Sequence, residues 1–145
     1  MIRTIVLVLA ILSGTSLFAA VQAETLASPE EARALTDRVM RQVSSGDIVG
    51  GLATLKPYAA VPEAEMDALI GQAELQVPFV SMRFGETKGV EFICEERVGE
   101  SLLQIVQLQK YEKSPMVWTF FFYKPDERWL ITAFYFHDNA AELFQ

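Results

Sequence analysis

The spacing of apolar residues changes once along this chain, around Pro78, and that switch constrains the fold more than any other feature. Upstream, apolar residues recur at helical intervals; downstream they alternate with a period of two, in runs separated by turn residues. Helices first and consecutive strands afterwards predict an α+β domain, not an alternating α/β one. Short turns between the strands predict an antiparallel meander, with three helices laid over one of its faces.

The helical half has clear boundaries. Ser28-Pro29-Glu30-Glu31 joins a capping serine, a proline in the first helical position and an acid three residues after the cap. Ala32, Leu35, Val39 and Val43 then form an apolar stripe, and Ser44-Ser45-Gly46 ends the helix. Asp47 caps a second helix over Ile48 to Leu55, stopped by Lys56-Pro57. Gly50-Gly51 weakens that helix by propensity and points to close packing against a neighbour. A third helix is expected from Pro62 to about Gln76, with Met66, Leu69, Ile70 and Ala73 on one face and Pro78 closing the helical half.

Five strands are expected after it: Val80 to Phe84, Val90 to Arg97, Ser101 to Tyr111, Met116 to Tyr123 and Arg128 to His137. The last two are apolar on both faces. Met116, Trp118, Phe120 and Phe122 alternate with Val117, Thr119, Phe121 and Tyr123, and the fifth run behaves alike. One face can lie under the helices. The other must be covered by sheet curvature or by a second subunit, and a homodimer through the sheet is the expectation. Asp138-Asn139 is expected to cap a short tail helix, Ala140 to Phe144, with Leu143 and Phe144 packed back onto the domain.

Residues 1–23 read as an export signal. Arg3 supplies the positive start, Ile5 to Leu12 the apolar stretch, and Val21-Gln22-Ala23 the small-residue cleavage site. Residues 24–145 then form one domain in the periplasm or outside the cell, with no further segment of spanning length. Cys94 is the one cysteine, so an intrachain disulfide is impossible even in an oxidising compartment; a buried strand thiol is the expectation. The formal net charge of −7 argues against nucleic acid as a partner. A 51% apolar content excludes a disordered chain.

The helical block, the Ser45-Gly46-Asp47 step, and the closing Trp129-Leu130-Ile131-Thr132-Ala133-Phe134-Tyr135-Phe136 strand together resemble the NTF2-like (cystatin-related) cone fold. The resemblance covers most of residues 28–144, and the likeness is to small exported bacterial members. It implies N-terminal helices packed on a curved antiparallel sheet around a deep cone. The superfamily includes isomerases, dehydratases, cyclases, transport factors and non-catalytic binders, so the fold leaves the task open.

Enzymes of this kind place a few polar groups in an apolar cone, and the isomerases among them pair a carboxylate base with a tyrosine or protonated acid. The parts available for that chemistry are Tyr111, Tyr123, Tyr135, His137 and Asp138. His137-Asp138 is the sharpest pair, yet adjacent strand residues point to opposite faces, so the two touch only where the strand has ended. For ligand binding the candidates are Arg83, Glu91, Trp118 and Tyr135, with Arg83 and Glu91 facing each other across the first hairpin. Gln104, Gln107 and Gln109 could serve a neutral ligand, but strand alternation favours an exposed sheet face for them. No spacing suits a zinc or calcium site, a phosphate loop or a nucleophile elbow, so no metal or cofactor is expected. The leading expectation is a non-enzymatic exported binding module. It would hold a small apolar or amphipathic ligand in the cone, or a protein partner on the sheet. An isomerase- or dehydratase-type enzyme and a periplasmic inhibitor or immunity-like protein are the alternatives.

Overall fold

The computed structural model describes residues 22–145. The export-signal expectation falls almost wholly on residues 1–21 and so lies outside the described residues. Three helices, α1 (Pro29–Ser44), α2 (Ile48–Leu55) and α3 (Glu63–Phe84), precede four strands, β1 (Thr87–Val98), β2 (Leu102–Tyr111), β3 (Pro115–Tyr123) and β4 (Leu130–His137). The strands form one antiparallel sheet in sequence order. This is the α+β arrangement expected, with helices over a meander.

The starts of α1 and α2 follow from their residues. Ser28 Oγ accepts the Glu31 N–H at 3.2 Å while the Glu31 carboxylate accepts the Ala27 N–H at 2.7 Å, so two otherwise orphaned donors are satisfied. Asp47 Oδ1 accepts the Gly50 N–H at 2.8 Å to start α2. Gly51 is buried there, and a side chain on it would come within 2.8 Å of Val43 Cγ2 and 3.2 Å of the Val39 carbonyl. The glycine lets α2 approach α1, as its position suggests.

The sequence expectation fails at Pro78. Val80 to Phe84 is not a strand; α3 runs through Pro78 to Phe84 and ends at Gly85, whose φ of +83° suits glycine alone. The cause is a second reading of the same residues. Val80, Met82 and Phe84 alternate like a strand, but Ile70, Ala73, Val77, Val80 and Phe84 also form one helical stripe against the core. Pro78 sits on the solvent side, where it removes one backbone bond without breaking that stripe. The sheet therefore has four strands, not five.

The sheet's inner face carries Leu103, Ile105, Gln107 and Gln109 of β2 opposite Phe122, Phe120, Trp118 and Met116 of β3. Against them pack Leu35, Val39, Met40 and Val43 of α1, Leu52 and Leu55 of α2, and Met66 of α3. Trp118 and Phe120 are fully buried, each worth roughly 2–3 kcal/mol of transfer free energy. Register shifts at Phe92/Cys94 on β1 and at Phe121/Phe122 beside β4 bend the sheet at both edges. The segment before α1 closes the base of the sheet through Leu26, which exchanges hydrogen bonds with Trp129 at 2.9 and 2.8 Å.

On the outer face Val106, Val117 and Thr119 are buried, while Leu102, Tyr123 and Tyr135 are exposed. The tail Ala140–Phe144 is a short 3-10 turn lying beside β3, without a side-chain cap from Asn139. Phe144 does not pack back as expected: it is 90% exposed, and only Leu143 is half-buried. A five-residue turn is too short to bury both of its apolar side chains on the same surface.

Candidate functional site

Two of the three glutamines of β2 are buried, contrary to the exposed face expected for them. Gln107 and Gln109 share their strand face with Leu103 and Ile105, so they point under the helices; Gln104 lies on the other face. Gln107 Nε2 donates to Thr36 Oγ1 and Asp37 Oδ1 of α1, both at 2.9 Å. Asp37 also accepts from Arg33 Nε at 2.9 Å, and the Arg33 guanidinium lies 3.4 Å over the Phe92 ring of β1. Two residues further along β2, Gln109 Oε1 accepts the Trp118 indole N–H at 3.1 Å and its Nε2 donates to the Val43 carbonyl at 3.2 Å. These contacts form a polar seam joining α1 to the sheet. Every buried side-chain polar atom among the described residues has a partner.

The seam leads to Tyr111 at the end of β2. Its ring meets Phe84 at 5.9 Å, and burial raises its phenol above the ordinary value, with a hydrogen bond to Gln109 working against that rise. Tyr111 lines a cleft of about 430 Å³ between α3 and the β1–β2 end of the sheet. Ile48, Val77 and the Tyr111 ring supply apolar wall; Ser81, Thr87, Glu86 and Glu112 supply polar groups. The Glu112 carboxylate accepts the Glu86 N–H at 3.1 Å and lies 3.4 Å from Lys88 Nζ. The backbone bond first, then Lys88, holds that carboxyl below its ordinary value. A second cleft, of about 200 Å³, lies between α3 and β4 and is lined by Val61, Leu69, Ile131 and Phe134. Between the clefts the helix–sheet layer is filled by Trp118, Phe120 and Met66, all fully buried.

The other residues singled out from sequence lie elsewhere. Tyr135 and His137 share the outer face of β4, with ring centroids 5.6 Å apart, so the sheet separates them from Tyr111. His137 Nδ1 accepts the Asn139 N–H at 3.2 Å, which places the ring proton on Nε2, 3.5 Å from a Glu142 oxygen. Asp138 turns away from His137 to Arg83 at 3.5 Å. Arg83 belongs to the last turn of α3, not to a strand, so the expected cross-strand pair with Glu91 does not form; Glu91 is exposed on β1. Trp118 is fully buried and lines neither cleft. Tyr123 is exposed at the end of β3. Cys94 is half-buried, and burial first, then the Glu96 charge, raises its thiol. Among the described residues no group of three or more His, Cys, Asp or Glu is placed to hold a metal ion. None of the helices among them is long and apolar enough to cross a membrane.

The cleft residues Val77, Ser81, Glu86 and Glu112 escape sequence reading because they come from a helix end and two turns. The buried glutamines were legible: their parity matches Leu103 and Ile105 along β2.

No protein-family model matches the chain, and no curated protein matches it. The chain is similar to solved structures. One of them is described as an NTF2-like transpeptidase from Campylobacter jejuni, with 19% identity and a TM-score of 0.47, and the match covers 73% of this chain and 99% of that one. The architecture rests on this chain's own elements: three helices followed by a four-stranded antiparallel sheet.

Proposed function

We propose that this protein is an exported NTF2-like binding module that takes a small amphipathic ligand into the cleft beside Tyr111. The observation that carries this reading is the cleft itself. Its volume of about 430 Å³ falls in the range of small-molecule sites, and an apolar wall meets a polar rim there. The tyrosine hydroxyl, kept neutral by burial, can donate to a ligand oxygen. Glu86 and Glu112 on the rim disfavour an anionic head group, so the ligand is a neutral or cationic amphiphile. A binding role is favoured over turnover because Tyr111 and His137 stand on opposite faces of the sheet, too separated to share a reacting atom.

Native mass spectrometry of the protein isolated from the periplasm without refolding, followed by titration with the neutral dye Nile red, tests this. Wild type carries an extra small mass or binds the dye. Ser81→Trp, an exposed position whose indole would fill the cleft, loses that binding at least tenfold while its circular dichroism is unchanged. Equal dye binding by Ser81→Trp, or an empty protein that takes up no dye, would sink the reading.

A further inference from the structure

Helix α3 carries two apolar stripes. Ile70, Ala73, Val77, Val80 and Phe84 face the core. Leu75, Pro78, Phe79 and Met82 follow helical spacing as well and face away from it. Leu75 and Met82 are 74% exposed and Phe79 66%. Phe144 apart, no large apolar side chain among the described residues is more exposed than Leu75 and Met82. Ala64, Ala68 and Gly71 extend the outer stripe toward the helix start with small residues.

Gly71 is the second, independent observation. A glycine in a helix interior costs stability, and here a side chain at this position would meet nothing within 4 Å. Unlike Gly51, it answers no packing demand among the described residues.

We infer that the outer stripe of α3 is the contact between two copies of this chain, joined as an antiparallel helix pair about a two-fold axis near Leu75. In that register Leu75 meets its own copy, Phe79 enters the space over Gly71 of the second copy, and Met82 lies over Ala68. Large groups thus meet small ones from both sides, as a self-complementary interface requires. The charges agree. Arg83 and Glu65 lie on the same flank of α3, and the two-fold brings each opposite the other's copy. Arg83 is free to do so, since it is largely exposed and holds Asp138 only at 3.5 Å.

The size of the stripe supports a second copy as the occupant. Leu75, Pro78, Phe79 and Met82 expose on the order of 450 Å² of apolar surface per chain, within the range of the largest patch on a typical monomer, which is often functional. Two such stripes with their polar flanks bury about 1,200 Å², the lower bound of a specific interface. A contact of this size makes a weak, concentration-dependent dimer. None of the stripe residues lines the cleft, so the contact does not depend on the cleft being a ligand site.

Sedimentation velocity from 1 to 200 μM tests the pairing. Wild type should pass from monomer to dimer across that range. Phe79→Asp, at an exposed site, should stay monomeric at 200 μM with unchanged circular dichroism. Gly71→Leu should weaken the dimer at least tenfold while melting no lower than wild type at 1 μM, because leucine is the better helix former. Arg83→Glu should weaken it too, and Glu65→Arg added to Arg83→Glu should restore it. A wild type that is monomeric at 200 μM overturns the inference. So does a dimer that survives both Phe79→Asp and Gly71→Leu, which would place the contact on the outer face of the sheet.

Discussion

At the scale of single residues the most informative side chain is Gln109. It is fully buried, yet both ends of its amide are used: the oxygen by Trp118, the nitrogen by the Val43 carbonyl. Replacing it with leucine keeps the volume and strands the buried Trp118 indole N–H on β3, while the Val43 carbonyl on α1 keeps the Gly46 N–H alone. Gln109→Leu should lower stability by roughly 1–3 kcal/mol, read as a fall in the urea midpoint with little change in slope. A midpoint equal to wild type would show that the seam holds α1 no better than apolar packing does. The same residue shows where sequence reading stops. An exposed face was the expectation for it, although its parity along the strand matches Leu103 and Ile105; a glutamine on that face has no meaning until its partners are known. Those partners, Val43 and Trp118, lie 66 and 9 positions away.

At the scale of elements, the start signals of α1 and α2 were legible because capping is local: Ser28 with Glu31, and Asp47 with Gly50, act within four residues. The extent of α3 was not, because it is decided by tertiary packing. Pro78 costs a helix interior about 3 kcal/mol, and burial of Phe84 with partial burial of Val77 and Val80 offsets that only once the sheet is beneath them. Arg83 then moves from a strand to a helix end, and the expected pair with Glu91 goes with it. The approach of α2 to α1 makes a sharper claim. Gly51→Ala would put a methyl group into contact with Val43 Cγ2 and the Val39 carbonyl, and the backbone atom cannot yield. Alanine favours a helix by about 1 kcal/mol over glycine, but the clash should outweigh this and leave the variant about 1–2 kcal/mol less stable. Thermal denaturation decides the sign; a higher midpoint would mean that α2 can move away from α1 at no cost.

At the scale of the whole molecule, two surface ion groups join neighbouring segments, one within the helical half and one at the edge of the sheet, and each adds a pH-dependent contribution to stability. Glu112 links the β2–β3 turn to the start of β1 through the Glu86 N–H and Lys88, and its folded-state pKa is depressed. Its contribution is thus present above the unfolded-state value, about 4.3, and is lost as pH falls through the lower folded value. Lys56, beside α2, reaches Asp67 at 2.7 Å and Glu63 at 2.8 Å on α3, and the hydrogen bond to Asp67, then that to Glu63, raises its pKa. Its contribution is complete below about pH 10.4 and is lost as pH rises through the higher folded value. Urea midpoints measured from pH 3 to pH 11 should trace a plateau that falls at both ends. Glu112→Gln should lie below wild type on the plateau and converge with it on the acid side alone. Lys56→Met should approach wild type on the alkaline side, since a neutral lysine holds neither carboxylate. A gap between wild type and either variant that stays constant across the whole range would show that shape, not charge, is what that side chain contributes.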